Sequence, residues 1–178
     1  GNFPVTGKSV KSQLSSVPAC QRMVKKAIVE KLKSAHRITE VPETGALYKV
    51  EVALLDNQVT LSLDTTGNGL HKRGYRPVSG PAPLRETLAA ALVLLSYWKP
   101  ERPLWDPFCG TGTIPIEAAL IGRKIAPGLK RSFLAENWSV LGSESWRAAR
   151  EEAKDLIQSE FPERILGTDT NWRDLKLA

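Results

Sequence analysis

The sequence predicts an α/β protein in two parts, an α+β part followed by a parallel α/β part. Apolar and polar residues alternate over 48–54 and again over 59–63, as is typical of a β-hairpin. A glycine-rich turn at 106–113 joins a short apolar strand to a helix, and a second apolar strand at 164–169 ends in Asp169. The order strand, helix, helix, strand is typical of a parallel sheet with helical connections.

In the first part, helical spacing from Val17 to Leu32 predicts a helix, with Ser16 as its N-cap and Pro18 in its first turn. We expect the hairpin after it and no further strand in this part. A basic loop and a connector rich in proline and glycine come next. We therefore place the domain boundary after Arg76, giving domains 1–76 and 77–178.

The second part is expected to contain three helices and two strands. Alanine and leucine dominate the first helix, which ends before a proline, and a proline is tolerated in the first turn of the second. The helices are expected at about 84–97, 114–121 and 145–159, and the strands at 104–105 and 164–169.

The composition excludes several classes of protein. With 42% hydrophobic and 25% charged residues in 178, it is typical of a globular chain. Cys20 and Cys109 are too few for a disulfide framework or a four-cysteine zinc site, so we expect a reducing compartment and no metal. The longest apolar run, 88–95, is far shorter than the roughly 18 residues of a membrane span. With no leader pattern at the start, we expect a cytoplasmic protein without a membrane partner.

The positive charge is unevenly distributed. The formal net charge is +6, and residues 1–76 carry twelve Lys or Arg against six Asp or Glu. Residues 77–178 carry thirteen of each. This asymmetry suggests a polyanion-binding module joined to a neutral one. A Lys-rich, solvated helix face is the alternative, and charge alone leaves both open.

The turn at 106–113 is the strongest indication of a ligand site. Its glycines let the backbone turn sharply and let a ligand lie against bare main chain, next to the N–H groups of a helix start. A dinucleotide fingerprint is excluded because Pro115 occupies the position of its third glycine. The turn contains no Gly-Lys-Ser/Thr, so the P-loop pattern fails as well.

Two acids indicate the kind of ligand. Asp106 precedes the glycines, where it would repel a pyrophosphate and attract a cationic amino group. Asp169 stands where open α/β sheets place an acid on ribose hydroxyls. A ligand with a ribose, an ammonium and a carboxylate but no phosphate fits S-adenosylmethionine. The alternative is a plain glycine turn with Asp106 as a helix cap, but the second acid favours the ligand.

Six motifs, in this order, resemble one protein family over almost the whole chain. They are residues 7–12 (GKSVKS), 43–48 (ETGALY), 70–76 (LHKRGYR), 82–92 (APLRETLAAAL), 105–119 (WDPFCGTGTIPIEAA) and 125–133 (IAPGLKRSF). The set resembles the bacterial THUMP-domain RNA methyltransferases, which include large-subunit rRNA guanine-N2 methyltransferases. Some members are also called adenine-N6-specific DNA methylases.

The resemblance implies a partial Rossmann-like class I methyltransferase domain after a partial THUMP-like domain. It also implies a cofactor site for S-adenosylmethionine, with Asp169 on the ribose. A second segment would close over the methionine end of the cofactor, although ordinary first-turn helix polarity would also explain its Arg85-Glu86-Thr87. The implied cofactor residues are Asp106, Pro107, Phe108, Cys109, Gly110, Thr111, Gly112, Thr113, Asp169, Pro83, Leu84, Glu86 and Thr87.

The THUMP-like part implies RNA, most simply rRNA, as the partner. Each basic side chain there is either a phosphate contact or a solvated charge. Cys109 has no partner base and is not expected to be a nucleophile. The candidate phosphate contacts are Lys8, Lys11, Lys25, Lys26, Lys72 and Arg73.

The chain departs from the family at one motif. Family members carry an Asn/Asp-Pro-Pro-aromatic motif that holds the target amine, and this sequence contains neither Asn-Pro-Pro nor Asp-Pro-Pro. Catalytic residues are therefore not assigned, and we expect an incomplete fragment, truncated in both domains and inactive alone. The expected parent activity is S-adenosylmethionine-dependent methylation of an exocyclic RNA amine, with guanine N2 of 23S rRNA preferred. An adenine-N6 DNA methylase and an RNA-binding module without catalysis are the alternatives. The oligomeric state is not indicated.

Overall fold

The computed structural model describes residues 2–76, 83–159 and 164–177. The chain forms two compact units, Gly1–Asn68 with Phe133–Gly142 and Gly69–Ser132 with Ser143–Ala178. The predicted connector at 77–82 lies outside the described residues, so the domain boundary after Arg76 stays a prediction. Within the described ranges, no helix is both long and apolar enough to cross a membrane.

The first unit contains a three-stranded sheet. Its strands are β1 (Val5–Val10), β2 (Lys49–Leu55) and β3 (Gln58–Asp64), with β2 in the centre. β1 pairs with β2 in parallel and β3 pairs with it in antiparallel fashion. The turn residues Asp56 and Asn57 have φ values of 48° and 64°, as a two-residue hairpin turn requires. The hairpin is confirmed, but the expectation of no further strand is wrong, because β1 is present.

Helix α1 (Val17–His36) covers β1 and β2. Cys20 of α1 and two residues of β2, Val52 and Leu54, form the buried cluster of this unit. The predicted helix is confirmed. Its start differs from the prediction in one respect, because the Ser16 side chain makes no capping hydrogen bond. Instead, the Ser16 carbonyl accepts a hydrogen bond from the N–H of Cys20 at 3.1 Å.

A later segment, 133–142, completes the first unit with two short 3₁₀ helices, Leu134–Asn137 and Ser139–Leu141. Trp138 is only 6% exposed. Its ring stacks on that of Tyr48 with centroids 4.9 Å apart, and its Nε1 donates to the Leu47 carbonyl at 2.8 Å. These contacts fix the segment to the residues that lead into β2.

The chain contains one Gly-Lys-Ser triplet, Gly7-Lys8-Ser9, which lies inside strand β1 rather than before a helix. Asn2 occupies the position of the first glycine of a P-loop. The triplet is therefore part of the sheet and forms no phosphate loop.

The second unit contains two parallel strands, β4 (Leu104–Asp106) and β5 (Ile165–Gly167). Beyond the paired residues, the N–H of Thr168 donates to the Asp106 carbonyl and the N–H of Cys109 donates to the Thr168 carbonyl, both at 2.9 Å. The predicted parallel α/β arrangement is confirmed. The helices of this unit are α2 (Glu86–Leu95), α3 (Thr113–Gly122), α4 (Ser143–Asp155) and α5 (Trp172–Leu175), of which α5 was not predicted.

Helix α3 follows the glycine-rich turn and packs against α2, β4 and β5. This packing buries Ala118 of α3 together with Ala89 and Val93 of α2. The turn between β4 and α3 therefore emerges at the carboxyl end of β4, supported by packed helices on one side.

Candidate cofactor site

Two glycines give the turn between β4 and α3 its shape. Gly110 has φ 54° and Gly112 has φ 75°, a left-handed backbone that is strained for most other residues. The N–H of Gly112 donates to the Cys109 carbonyl at 2.8 Å, and the Gly112 carbonyl accepts the N–H of Ile116 at 3.0 Å. The turn, which we call the cofactor loop (residues 106–113), therefore leads directly into helix α3.

Asp106 holds its own loop instead of capping the helix. Its Oδ1 accepts the N–H of Phe108 at 3.1 Å. Helix α3 has Gly112 as its N-cap residue and no side-chain capping bond. The plain alternative for Asp106, a helix cap, is therefore not what the structure contains.

Asp169 lies opposite the loop, after the end of β5. Its Oδ2 accepts the N–H of Gly110 and its Oδ1 accepts the N–H of Asn171, each at 2.8 Å. The bonds from Asn171 and Gly110 lower the pKa of Asp169. The carboxylate is therefore ionised at neutral pH, and each oxygen retains a second lone pair for a further donor.

Gly167 of β5 lies in close contact with the cofactor loop and the first turn of α3. A Cβ on Gly167 would lie 2.9 Å from the Sγ of Cys109 and 3.2 Å from Pro115 Cγ. Cys109 is 8% exposed, and its pKa is raised, first by burial and then by the charges of Asp106 and Asp169. A protonated, buried thiol fills space and is a poor nucleophile.

A cavity of about 210 Å³ opens beside the cofactor loop. Eight of the predicted cofactor residues line it, including Phe108, whose ring is 83% exposed. The structure thus brings together two segments that are distant in sequence, the cofactor loop and the residues before α2. The eight are Pro83, Leu84, Asp106, Phe108, Cys109, Gly110, Thr111 and Thr113.

Five predicted cofactor residues do not line this cavity. Gly112 is buried, and Asp169 accepts a hydrogen bond from Gly110, which does line the cavity. Glu86 and Thr87 lie in the first turn of α2. Pro107 instead lines a second cavity of about 520 Å³ with Trp105 and residues of α2. Cofactor roles for all thirteen residues, those that line the cavity and those that do not, remain predictions.

Two further residues line the cavity and were missed by sequence reasoning, Ile114 and Asp174. Asp174 lies in α5, where its Oδ2 accepts the Asn171 side-chain amide at 2.8 Å. The only signal in the sequence was the presence of a second acid shortly after Asp169. No group of three or more His, Cys, Asp or Glu that could hold a metal occurs within the described ranges.

The predicted phosphate contacts differ in their surroundings. Lys8 pairs with Glu51 at 2.9 Å and Lys25 pairs with Glu43 at 2.8 Å, both on the surface. The remaining three lysines of the set, Lys11, Lys26 and Lys72, are exposed.

Arg73 is the exception among these basic residues. Its side chain is 12% exposed, and its Nη2 lies 3.3 Å from the Oε2 of buried Glu117. A guanidinium already paired inside the protein is poorly placed to bind a phosphate. We therefore leave Arg73 out of the proposed RNA contacts.

Comparison with known families decides the classification. Residues 73–178 match the model of the RMKL-like methyltransferase domain, and residues 1–64 match that of the THUMP domain. The chain belongs to the RMKL-like methyltransferase family. The family predicted from the six motifs is thereby confirmed.

Two curated members of this group resemble the chain. It is 55% identical over 180 residues to a Bacillus subtilis (strain 168) protein named "Putative RNA methyltransferase YpsC", covering all of this chain and 47% of that protein. It is 39% identical to "Ribosomal RNA large subunit methyltransferase K/L" of Aliivibrio fischeri, over 87% of this chain and 23% of that protein. The chain thus spans about half of the first relative and less of the second.

Two crystal structures resemble it closely as well. One, from Listeria monocytogenes str. 4b F2365, is described as a "predicted N6-adenine-specific DNA methylase"; it is 54% identical, with a TM-score of 0.94 over all of this chain and 47% of that one. The other, SMU.472, is described as a putative methyltransferase complexed with SAH. It is 44% identical, with a TM-score of 0.92 over 99% of this chain and 47% of that one.

Proposed function

We propose that the chain is the RNA-binding and cofactor-binding portion of an S-adenosylmethionine-dependent methyltransferase. Its substrate is an exocyclic amine of RNA, and the preferred position is guanine N2 of 23S rRNA. The observation that carries the proposal is the cavity beside the cofactor loop, one lining residue of which, Gly110, donates its N–H to the ionised carboxylate of Asp169.

The residues of the cavity fit the cofactor chemically. The space next to Gly110 is open, since no atom of the described residues, its two chain neighbours aside, lies within 4 Å of where its Cβ would be. Asp169 has acceptor positions left for ribose hydroxyls, and Asp106 is the acid nearest to an ammonium group at the loop. The first N–H groups of α3 have no intrahelical acceptor and suit a carboxylate. When bound, S-adenosylmethionine supplies a methyl group on a sulfonium.

The chain's own residues contribute binding and orientation. Asp169 and the cofactor loop bind the two ends of the cofactor and so orient it. The raised pKa of Cys109 keeps its thiol protonated, so it does not act as a general base. Positioning of two reactants can supply about 7–11 kcal/mol of a reaction barrier, so a strong base is not required for this role.

The N-terminal part of the chain supports RNA as the partner. Residues 1–64 match the THUMP domain, residues 1–76 carry the excess positive charge of the sequence, and Lys11 and Lys26 are exposed. Phosphate contacts of this kind position a nucleic acid without reading its sequence. The choice of base would then depend on residues that contact the extruded nucleotide.

A second candidate function is methylation of adenine N6 in DNA. The description of the Listeria monocytogenes structure favours it. The cofactor site described above would serve either reaction. The two functions are therefore distinguished by which nucleic acid is methylated and which modified nucleoside forms.

The deciding experiment is methyl transfer by the full gene product. Labelled S-adenosylmethionine is supplied with 23S rRNA fragments in one reaction and with duplex DNA in the other, and the modified nucleosides are identified by mass spectrometry. We expect N2-methylguanosine in the RNA reaction. Label found only as N6-methyladenine in DNA would overturn the proposed substrate.

A further inference from the structure

Residues 69–76 lie at the start of the second unit, and three of their side chains reach α3 or the cofactor loop. Two of them meet at Glu117 of α3, which is only 2% exposed. The Tyr75 hydroxyl donates to Glu117 Oε1 at 3.0 Å, and Arg73 donates to both carboxylate oxygens at 3.3 and 3.4 Å. A buried carboxylate thus receives a cation and a hydroxyl from one short segment, as burial of a charge requires.

The backbone of this segment is held as firmly as its side chains. Gly74 has φ 85°, and a Cβ there would lie 2.2 Å from the carbonyl oxygen of Lys130. The Nη1 of Arg131 donates to the carbonyl oxygens of Gly69 and Lys72, at 2.9 and 3.3 Å. The segment therefore has one defined path, which requires glycine at position 74.

The segment ends at Arg76, whose Nη2 donates to the carbonyl oxygen of Thr111 in the cofactor loop. Its Nε and Nη1 are buried and have no hydrogen-bond partner within the described ranges. A buried guanidinium with unmet donors costs free energy. Arg76 therefore places a guanidinium with two further donors against the cofactor loop.

The bond from Arg76 acts on a peptide next to a glycine of the loop. The carbonyl of Thr111 and the N–H of Gly112 belong to the same peptide plane, and Gly112 has a left-handed φ of 75°. The Gly112 N–H donates to Cys109, and the Thr111 carbonyl accepts from Arg76. Bonds on both sides of this plane remove the rotational freedom that glycines otherwise allow.

We propose that Arg76 is a positioning residue of the cofactor loop, with Tyr75 and Arg73 fixing its segment to Glu117. The proposal rests on the proposed function, because it concerns the same cofactor site. A loop that is already ordered loses less conformational entropy when a ligand binds. Loss of the Arg76 bond should therefore weaken only ligands that contact the loop. The loop is assigned to the methionine end and Asp169 to the ribose.

The test compares two ligands by calorimetry on the full gene product. S-adenosylhomocysteine has a methionine-like end, and 5′-methylthioadenosine has the same adenosine without it. We expect Arg76→Met to raise the Kd of S-adenosylhomocysteine by about tenfold, as for loss of a charge-assisted bond, and that of methylthioadenosine by less than about threefold. Arg147→Met is the matched control, since Arg147 is 65% exposed on α4, and both affinities should stay unchanged.

Two milder variants keep the test informative if Arg76→Met does not fold. Arg76→Lys retains the charge and Tyr75→Phe removes one hydroxyl, and each should weaken S-adenosylhomocysteine selectively while thermal unfolding shows a folded protein. Equal losses for both ligands, or no loss for either, would overturn the positioning role. Wild-type protein that binds neither ligand would instead overturn the proposed function, and the role of Arg76 with it.

Discussion

The carboxylate of Asp169 accepts a hydrogen bond at 2.8 Å from the N–H of Gly110, a residue 59 positions earlier in the chain. The bond joins the end of β5 to the loop after β4. The acid assigned to the ribose therefore also holds the loop assigned to the methionine end. One residue thus couples the two halves of the cofactor site, and changes at either strand end should affect the whole site.

Gly167→Ala tests how closely the two strand ends must approach. The new Cβ would lie 2.9 Å from Cys109 Sγ and push the cofactor loop outward. We expect a loss of about 1–3 kcal/mol in the free energy of unfolding, as for overpacking in a core. Affinity for S-adenosylhomocysteine should fall as well. Urea unfolding and calorimetry measure the two effects.

The double variant Gly167→Ala with Cys109→Ala is the control for that prediction. Removing the sulfur leaves room for the added methyl, so part of the lost stability should return and the two changes should not be additive. Strict additivity would show that the contact between these positions is not the cause.

Cys109 should react slowly with alkylating reagents in the folded protein. Its pKa is raised, so at about pH 8 a smaller fraction is thiolate than in a free cysteine, and thiolate is the reactive form. The rate should increase as pH rises further and increase much more on unfolding. Mass spectrometry after timed exposure to iodoacetamide measures labelling at this site. Labelling as fast as that of a small-molecule thiol would contradict the burial described.

Trp138→Phe tests whether segment 133–142 stabilises the first unit. The ring would still stack on Tyr48, but the Leu47 carbonyl would lose its donor, at a cost of about 1–3 kcal/mol. Trp138→Ala should cost more, about 3–5 kcal/mol. Trp172→Phe is the matched control, because Trp172 is 57% exposed. Denaturant unfolding should show a larger loss in the free energy of unfolding for the Trp138 variants than for Trp172→Phe. Equally small losses would show that segment 133–142 does not stabilise the first unit.

Lys11 and Lys26 should contribute to RNA binding by neutralising backbone phosphates. The double change Lys11→Ala with Lys26→Ala should weaken binding to all RNA sequences alike. It should also reduce the slope of log K against log salt concentration by about one for each phosphate that a lysine no longer neutralises. Exposed lysines of the second unit, Lys99 and Lys154, provide the matched double variant. A salt slope that is the same in both double variants and the wild type would exclude a role for Lys11 and Lys26 at the RNA backbone.

Sequence patterns predicted the elements whose signal is local. The hairpin, the helix from Val17 and the parallel pair β4 and β5 all match the structure. The six motifs also predicted the family. In these segments the periodicity, the turn residues and the helix start all indicate the same element.

The missed features depend on partners distant in sequence. Strand β1 has Gly7 and Ser9 on the same face as Val5, so its apolar alternation is weak, and its pairing with β2 spans some 45 residues. Asp174 lines the cavity only because α5 folds back beside the loop. Arg73 is basic, as a phosphate contact would be, but its side chain pairs with the buried carboxylate of Glu117. None of these long-range contacts produces a periodic pattern in the sequence.

Ionised Asp169 and the cofactor loop are proposed to form the cofactor site. Calorimetric titration of S-adenosylhomocysteine into wild-type protein, Asp169→Ala and the exposed control Asp155→Ala tests this assignment most directly. We predict that Asp169→Ala, folded by thermal unfolding, raises the Kd by at least about tenfold, as for loss of hydrogen bonds to a charged group, while Asp155→Ala leaves it unchanged. An unchanged Kd in folded Asp169→Ala would contradict the account.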